Sequence, residues 1–304
     1  MIDDQAYVQL LSRHWGLFGS EGQERIARAR VAVGGLGGIG SAAALLFAKA
    51  SVGKLVICDR QAYGVENVCQ QALASHGAVG IPKADAAAAE CARHTRHTEL
   101  KAFSGDLTDP VVAAALVEGA DVVVSAVDNP EARSVLGVVC SRAGIPFVVP
   151  AAIGWSIIHT VYFPGEWAYD SQFRFMKGIR LSDGLPDMRD ELTSRMIRRE
   201  WRMWSVAVAG WNREALEKFL RGEEPCYWIS APQCFFGASL GILDALKIVS
   251  GVGAPFRYPA LFCYDTKSHC ILSLNDILRR RHCLQEVWEK GPEAVLTVVE
   301  SWET

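Results

Sequence analysis

Four glycines, two aspartates and a lysine are spaced so that together they could handle a nucleotide. Gly35, Gly37, Gly38 and Gly40 fall within the run 34–40, Gly-Gly-Leu-Gly-Gly-Ile-Gly, and Gly35, Gly37 and Gly40 satisfy G-x-G-x-x-G. Glycine permits the tight turn and lets backbone N–H groups and a helix N-terminus approach phosphate oxygens. Asp59 ends the next β-prone run, where a carboxylate can bind ribose hydroxyls. Downstream stand Asn67, Gln70, Gln71 and Lys83, then Asp128 and Asn129 at the end of another β-prone run, with Arg133 beyond. Hydride transfer has no use for Lys83 and Asp128 at those places. Nucleotidyl transfer does, because lysine neutralises a phosphate and a strand-end aspartate can hold Mg2+ beside it. The competing readings are a solvated helix start for Lys83, after Pro82, and a helix N-cap for Asp128, ahead of Pro130.

The surrounding pattern supplies elements to position these residues. Short apolar runs at 30–33, 54–58, 99–103, 121–126 and 146–149 alternate with helical stretches at 41–50, 82–94, 109–118 and 130–143. Strands separated by helices of that length predict an α/β, doubly wound and mainly parallel sheet. Two further strands are expected at 260–264 and 270–274, about a turn at 266–269, and a short helix at 293–302. No repeat of 20 to 50 residues is visible.

Composition narrows the function classes. The chain has 304 residues, half of them apolar and 21% charged, which excludes disordered and low-complexity classes. Lys and Arg number 31 against 34 Asp and Glu, so no nucleic-acid field is expected from the net charge of −3. The apolar stretches 41–50 and 111–127 are short or interrupted, and no membrane span is expected. Nine cysteines, none spaced C-x-x-C, argue against a four-thiolate zinc site and a redox pair. Residues 1–13 lack the apolar core of a signal peptide, so reduced thiols in the cytoplasm are the expectation.

The whole run resembles the ubiquitin-activating-like superfamily of adenylating enzymes, the ThiF, MoeB and HesA type. Their nucleotide domain reads G-x-G-G-x-G, then D-x-D…N-x-x-R-Q…G-x-x-K, then D-N…R. Gly35, Gly37, Gly38 and Gly40 match the first block; Asp59, Asn67, Gln71 and Lys83 match the second; Asp128, Asn129 and Arg133 match the third. The resemblance covers about residues 7 to 165 and returns at 231–247. It implies a Rossmann-like fold, with an ATP-binding adenylation region over 1–165. Residues 166–304 would supply a substrate-binding insertion, a late helix and C-terminal strands completing the same domain. It also implies a homodimer in which Arg13 reaches the partner's phosphates. Lys83, Arg13 and Asp128 would then be catalytic, Asp128 holding Mg2+, with Gln70, Gln71, Asn67 and Asn129 around the nucleotide. Two departures stand out. Gln70 occupies the place of an arginine, which Arg60 could offset in part, and the paired C-x-x-C motifs of many zinc-binding relatives are missing, so no zinc is expected.

The implied reaction is attack of a substrate carboxylate on the α-phosphorus of ATP, releasing pyrophosphate. Two substrate classes compete: a precursor peptide of a ribosomally made natural product, and the C-terminus of a ubiquitin-like sulfur carrier. Residues 165–225 hold no cysteine, which argues against a thioester relay, and Cys226 and Cys234 read as buried structural thiols. Arg195, Arg198, Arg199 and Arg202 share one face of an expected helix over 190–208, with Trp201, Trp204 and Val208 on another stripe. That face is either a platform for an acidic tail or simply solvated. His269 and His282 match no ligand spacing. A catalytically impaired nucleotide-binding scaffold, motivated by Gln70, and an NAD(P)-dependent oxidoreductase are the rivals of other classes.

Overall fold

Val31, Ala32 and Val33 are wholly buried, as are Leu55, Val56 and Ile57 and Val122, Val123 and Val124. Strands covered on both faces have no polar side to show, so their sequences are continuous apolar runs. In the computed structural model these runs form β1 (Arg30–Gly34), β2 (Lys54–Asp59) and β4 (Val122–Ser125), in the middle of one sheet. The structure describes residues 5–165, 211–220, 228–258, 260–288 and 290–302.

β3 (Glu99–Ser104) lies at one edge, where Glu99 and Lys101 are exposed; charge on an edge strand discourages pairing with other chains. β5 (Phe147–Ile153) flanks β4, and these five strands run parallel in the order β3-β2-β1-β4-β5. After β5 the chain reverses through Gly154 and Trp155 into β6 (Ser156–Tyr162), and β7 (Phe262–Asp265) and β8 (Cys270–Ile271) extend the sheet antiparallel. The expected α/β, doubly wound and mainly parallel sheet is present, with β6 as a strand the sequence did not disclose.

Helices cover both faces. α1 (Gln5–Leu10), α2 (Ser12–Arg28, kinked at Gly19), α3 (Gly38–Lys49) and α4 (Lys83–Ala92) precede α5 (Pro110–Val117) and α6 (Pro130–Ala143). Among the later described residues stand α7 (Arg213–Leu220), α8 (Ala231–Ser250), α9 (Leu274–Trp288) and α10 (Pro292–Glu300). One core joins α3, α4 and α8 to the sheet around Phe47, Leu36 and Ile242; a second packs α5 and α6 around Leu116, Leu136 and Phe147. A third, smaller core unites Ile153 with Trp211, Leu216, Leu284 and Leu296. Each buried Leu, Ile, Val or Phe stabilises by about 1.5–3 kcal/mol relative to exposure.

α8 is long and apolar enough to cross a membrane, which departs from the expectation of no such stretch. Its packing explains the composition. Gly237, Ala238, Gly241 and Ala245 lie against α3 and β5, with a Cβ built on Gly241 only 2.8 Å from Pro150. Midway along it, buried Asp244 accepts from His159 Nε2 on β6 at 2.9 Å, from Lys247 Nζ at 2.8 Å and from the Phe256 N–H at 2.7 Å. It is a core helix of the sheet. The helix expected at 190–208, with its arginine and tryptophan stripes, lies outside the described residues, as does Cys226.

Candidate active site

The C-terminal ends of β1, β2 and β4, with the start of α8, enclose a cavity of about 820 Å³. A doubly wound sheet binds ligands at that edge, where the strand order reverses between β1 and β4. Gly35, Gly37, Gly38, Asp59, Asn67, Gln70, Gln71, Lys83, Asp128 and Asn129 all line it, together with Arg60 and Arg133.

The glycine turn is held open by sterics. Gly35 has φ 86°, a left-handed backbone, and a Cβ there would lie 2.8 Å from the Ala126 carbonyl oxygen. Gly40 does not line the cavity. It packs α3 against the Gly35 carbonyl, where a side chain could not fit, so its part is to bring the helix close rather than to touch a ligand. Gly37 caps α3 without a side chain, and Gly37, Gly38 and Ile39 at the start of the helix line the cavity.

Asp59 is 8% exposed, and its carboxylate accepts from Leu36 N at 2.6 Å and Gln61 N at 2.8 Å. It therefore ties the glycine turn to the end of β2 while keeping lone pairs for a ligand hydroxyl. Lys83 is not the solvated helix start that competed for it. It is 3% exposed at the first position of α4, its Nζ donating to Gln61 Oε1 at 2.9 Å and lying 5.8 Å from the Tyr63 ring centre. No carboxylate pairs with it among the described residues. Desolvating an ammonium costs several kcal/mol, which a neutral amide only partly offsets; an anion bound in the cavity would complete the balance. Gln61 and Tyr63 were not singled out in the sequence.

Asp128 is exposed and lines the cavity, and it is not the helix cap. Asn129 caps α6, its Oδ1 accepting from Glu131 N at 2.8 Å and Ala132 N at 3.2 Å. The Asp128 carboxylate is thereby left to the cavity. Arg133 is buried and donates to the Val127 carbonyl at 2.6 Å, fixing the loop that carries Asp128. Asn67 is likewise employed in its own turn, accepting from Gly64 N at 3.0 Å. Gln71 is 7% exposed, and its Oε1 has no partner among the described residues, an orphan that a ligand N–H or O–H would satisfy.

Arg60, the candidate substitute for the arginine replaced by Gln70, is engaged. Its guanidinium donates to Asp106 at 2.9 Å across the cavity rim, and the pair is about half exposed. The Thr108 N–H, then the Thr108 hydroxyl and Arg60, hold the Asp106 carboxyl below the usual aspartate range against the opposing effect of burial. Arg13 is exposed near the start of α2 and does not line the cavity of its own chain. Cys234 does, its sulfur packed against Gly38, with burial pushing the thiol up to about 11. No group of three His, Cys, Asp or Glu side chains suited to a metal occurs among the described residues, and His269 hydrogen-bonds Tyr264 Oη at 3.0 Å instead.

The ThiF family pattern matches residues 11–284. Molybdopterin-synthase adenylyltransferase of Salmonella typhimurium is 37% identical over 136 residues, 45% of this chain and 54% of the relative. The protein of the same description from Escherichia coli is 35% identical over 154 residues, 50% of this chain and 61% of the relative. The matched segment thus spans between half and two thirds of these relatives' length. Among solved structures, Escherichia coli MccB with ATP superposes with a TM-score of 0.65 at 16% identity, covering 89% of this chain and 71% of that one. PaaA gives 0.64 at 17% identity, covering 88% and 73%. Those two likenesses speak for the fold. With the family pattern running through glycine turn, Lys83, Asp128 and α8 alike, the chain belongs to the ThiF family.

Proposed function

We propose that the protein is an ATP-dependent adenylyltransferase that activates a carboxylate on a peptide or small protein. The observation that carries this is Lys83: a buried ammonium with no carboxylate partner among the described residues, facing the same cavity as the glycine turn and Asp128. That geometry suits a polyphosphate and has no evident use in hydride transfer.

In the reaction proposed, a carboxylate oxygen of the substrate forms a bond to the α-phosphorus as the bond from that phosphorus to the β-bridging oxygen breaks. Pyrophosphate departs with the electron pair, leaving an acyl adenylate. The protein contributes position and charge rather than covalent chemistry. Asp59 holds the ribose, the α3 N-terminus and Lys83 draw charge from the phosphates, and Gln70 donates a neutral hydrogen bond. Asp128 would hold Mg2+, which supplies charge neutralisation at the phosphate oxygens when bound; Mg2+ commonly rests on one or two carboxylates plus substrate phosphates.

Arg13 would act from a second subunit. Exposed Val8, Leu10, Trp15 and Leu17 lie on the same two helices, α1 and α2, apolar surface of the kind a homodimer covers. A second reading, activation of the C-terminus of a sulfur-carrier protein, is supported by the molybdopterin-synthase adenylyltransferase relatives. A peptide substrate is supported by the MccB likeness, since one of its structures holds MccA, though at 16% identity.

Labelled pyrophosphate should enter ATP when a suitable carboxylate substrate is present. Lys83→Ala and Asp128→Ala are each expected to cut that exchange by at least about 100-fold, the scale of losing a preorganised charge contact, while far-ultraviolet circular dichroism stays unchanged. Wild-type exchange in either variant would remove the site assignment, ATP binding without exchange would favour a scaffold, and preference for NAD over ATP would overturn adenylation.

A further inference from the structure

Beside the large cavity lies a second one of about 390 Å³ to which three tryptophans contribute. Trp155 comes from the β5–β6 turn, Trp211 from just before α7 and Trp228 from just before α8. Trp211 and Trp228 meet edge to face, ring centres 4.8 Å apart. Trp211 is 5% exposed and rests on the third core, whereas Trp155 is 44% exposed, so the box has a fixed floor and an open side.

The two cavities adjoin. Ile229 lines both, and Gln233 and Cys234, neighbours on the first turn of α8, line the small and the large one respectively. Ile153 borders the large cavity and Gly154 the small. A chain whose terminal carboxylate entered the nucleotide cavity past Ile229 would carry its preceding side chains over the tryptophans. The rim charges are already matched, Lys218 Nζ lying 3.2 Å from Glu214, so the box does not select for charge. Planar, polarisable indole faces over a buried floor prefer an aromatic side chain. A Gly-Gly tail would leave them without contact.

We propose that this tryptophan box is a substrate subsite that receives an aromatic side chain one or two residues before the activated carboxylate. Resting on the adenylation reading, the inference sharpens it: the substrate is a peptide or protein with an aromatic residue near its C-terminus rather than one ending in Gly-Gly.

Four fluorescein-labelled hexapeptides, identical but for Trp, Phe, Leu or Gly at the penultimate position, separate the alternatives. Anisotropy titrations against the full chain, with a non-hydrolysable ATP analogue present, are expected to show Trp and Phe peptides binding about tenfold tighter than the Gly peptide. Trp155→Ala should erase that preference, and Trp228→Leu provides a second variant away from the buried core position of Trp211. Equal binding of all four peptides, or a preference that survives both substitutions, overturns the subsite. Pyrophosphate exchange with the same peptides keeps the two readings apart. Exchange without aromatic preference rejects the subsite and spares adenylation, whereas aromatic-selective binding without exchange upholds the subsite and counts against adenylation.

Discussion

Buried charge is expensive, and this chain handles it differently at two residues. Lys83 is held by neutral groups, the Gln61 amide and the Tyr63 ring, so its charge remains uncommitted toward the cavity. Asp244 is fully committed: burial pushes its carboxyl up, but His159, Lys247 and the Phe256 N–H outweigh that and hold it below the ordinary value of 3.8. A carboxyl depressed in the folded state stabilises fully above its unfolded value and loses that contribution as pH falls through the folded one. Resistance of the wild type to urea should therefore fall as pH drops below 3.8, whereas Asp244→Asn, destabilised at neutral pH, should lack that part of the acid dependence. An equally steep acid limb in both proteins would show that other groups govern it. Neither arrangement was readable from sequence, because Gln61 and Lys83 lie 22 residues apart and His159 and Asp244 lie 85 apart; only the topology brings each pair together.

At the scale of elements, β1 to β5 and α3 to α6 were legible because parallel strands are apolar throughout and glycine or proline punctuates their helices. β6 was not: Ser156 to Tyr162 is buried along its whole length, so it shows neither alternation nor a charged edge, and only a two-residue turn parts it from β5. α9 was hidden for the opposite reason, its Arg279–His282 stretch being too polar to display an apolar stripe, and its start was absorbed into an expected strand. The caps were half legible. Pro130 marked the start of α6, but the cap that the competing reading placed at Asp128 falls one residue later, on Asn129. Asn129→Ala is expected to cost about 1 kcal/mol of stability, read as an earlier urea midpoint with unchanged slope. If Asp128 then takes over the cap, ATP affinity should fall as well, whereas an unchanged midpoint would mean the cap contributes nothing measurable.

For the molecule as a whole, the cysteines give a map of what solvent reaches. Burial pushes Cys58, Cys91 and Cys263 up to about 12 and Cys140 higher still, whereas Cys69 and Cys270 are exposed. A thiol-reactive disulfide reagent should modify Cys69 and Cys270 in the native protein within minutes, and the buried thiols only on unfolding. Mass mapping that found Cys58 or Cys140 modified as fast as Cys69 would contradict the packing of the parallel half. Of the two cysteines read from the sequence as buried structural thiols, Cys234 is buried and Cys226 lies outside the described residues.

The position of α8 bears on how the chain is made. Ala238, Ile242, Ala245 and Leu246 complete the core over β1, β4 and α3, yet they are encoded some eighty residues after β5 ends. On a ribosome adding about 5–20 residues per second, the first five strands emerge several seconds before the helix that seals them. During that interval the nascent nucleotide-binding half presents an uncovered aliphatic face, a natural client for a chaperone. Gly38 cannot meet its final neighbour Cys234 until α8 docks, so the wall of the large cavity that α8 supplies is completed late in synthesis.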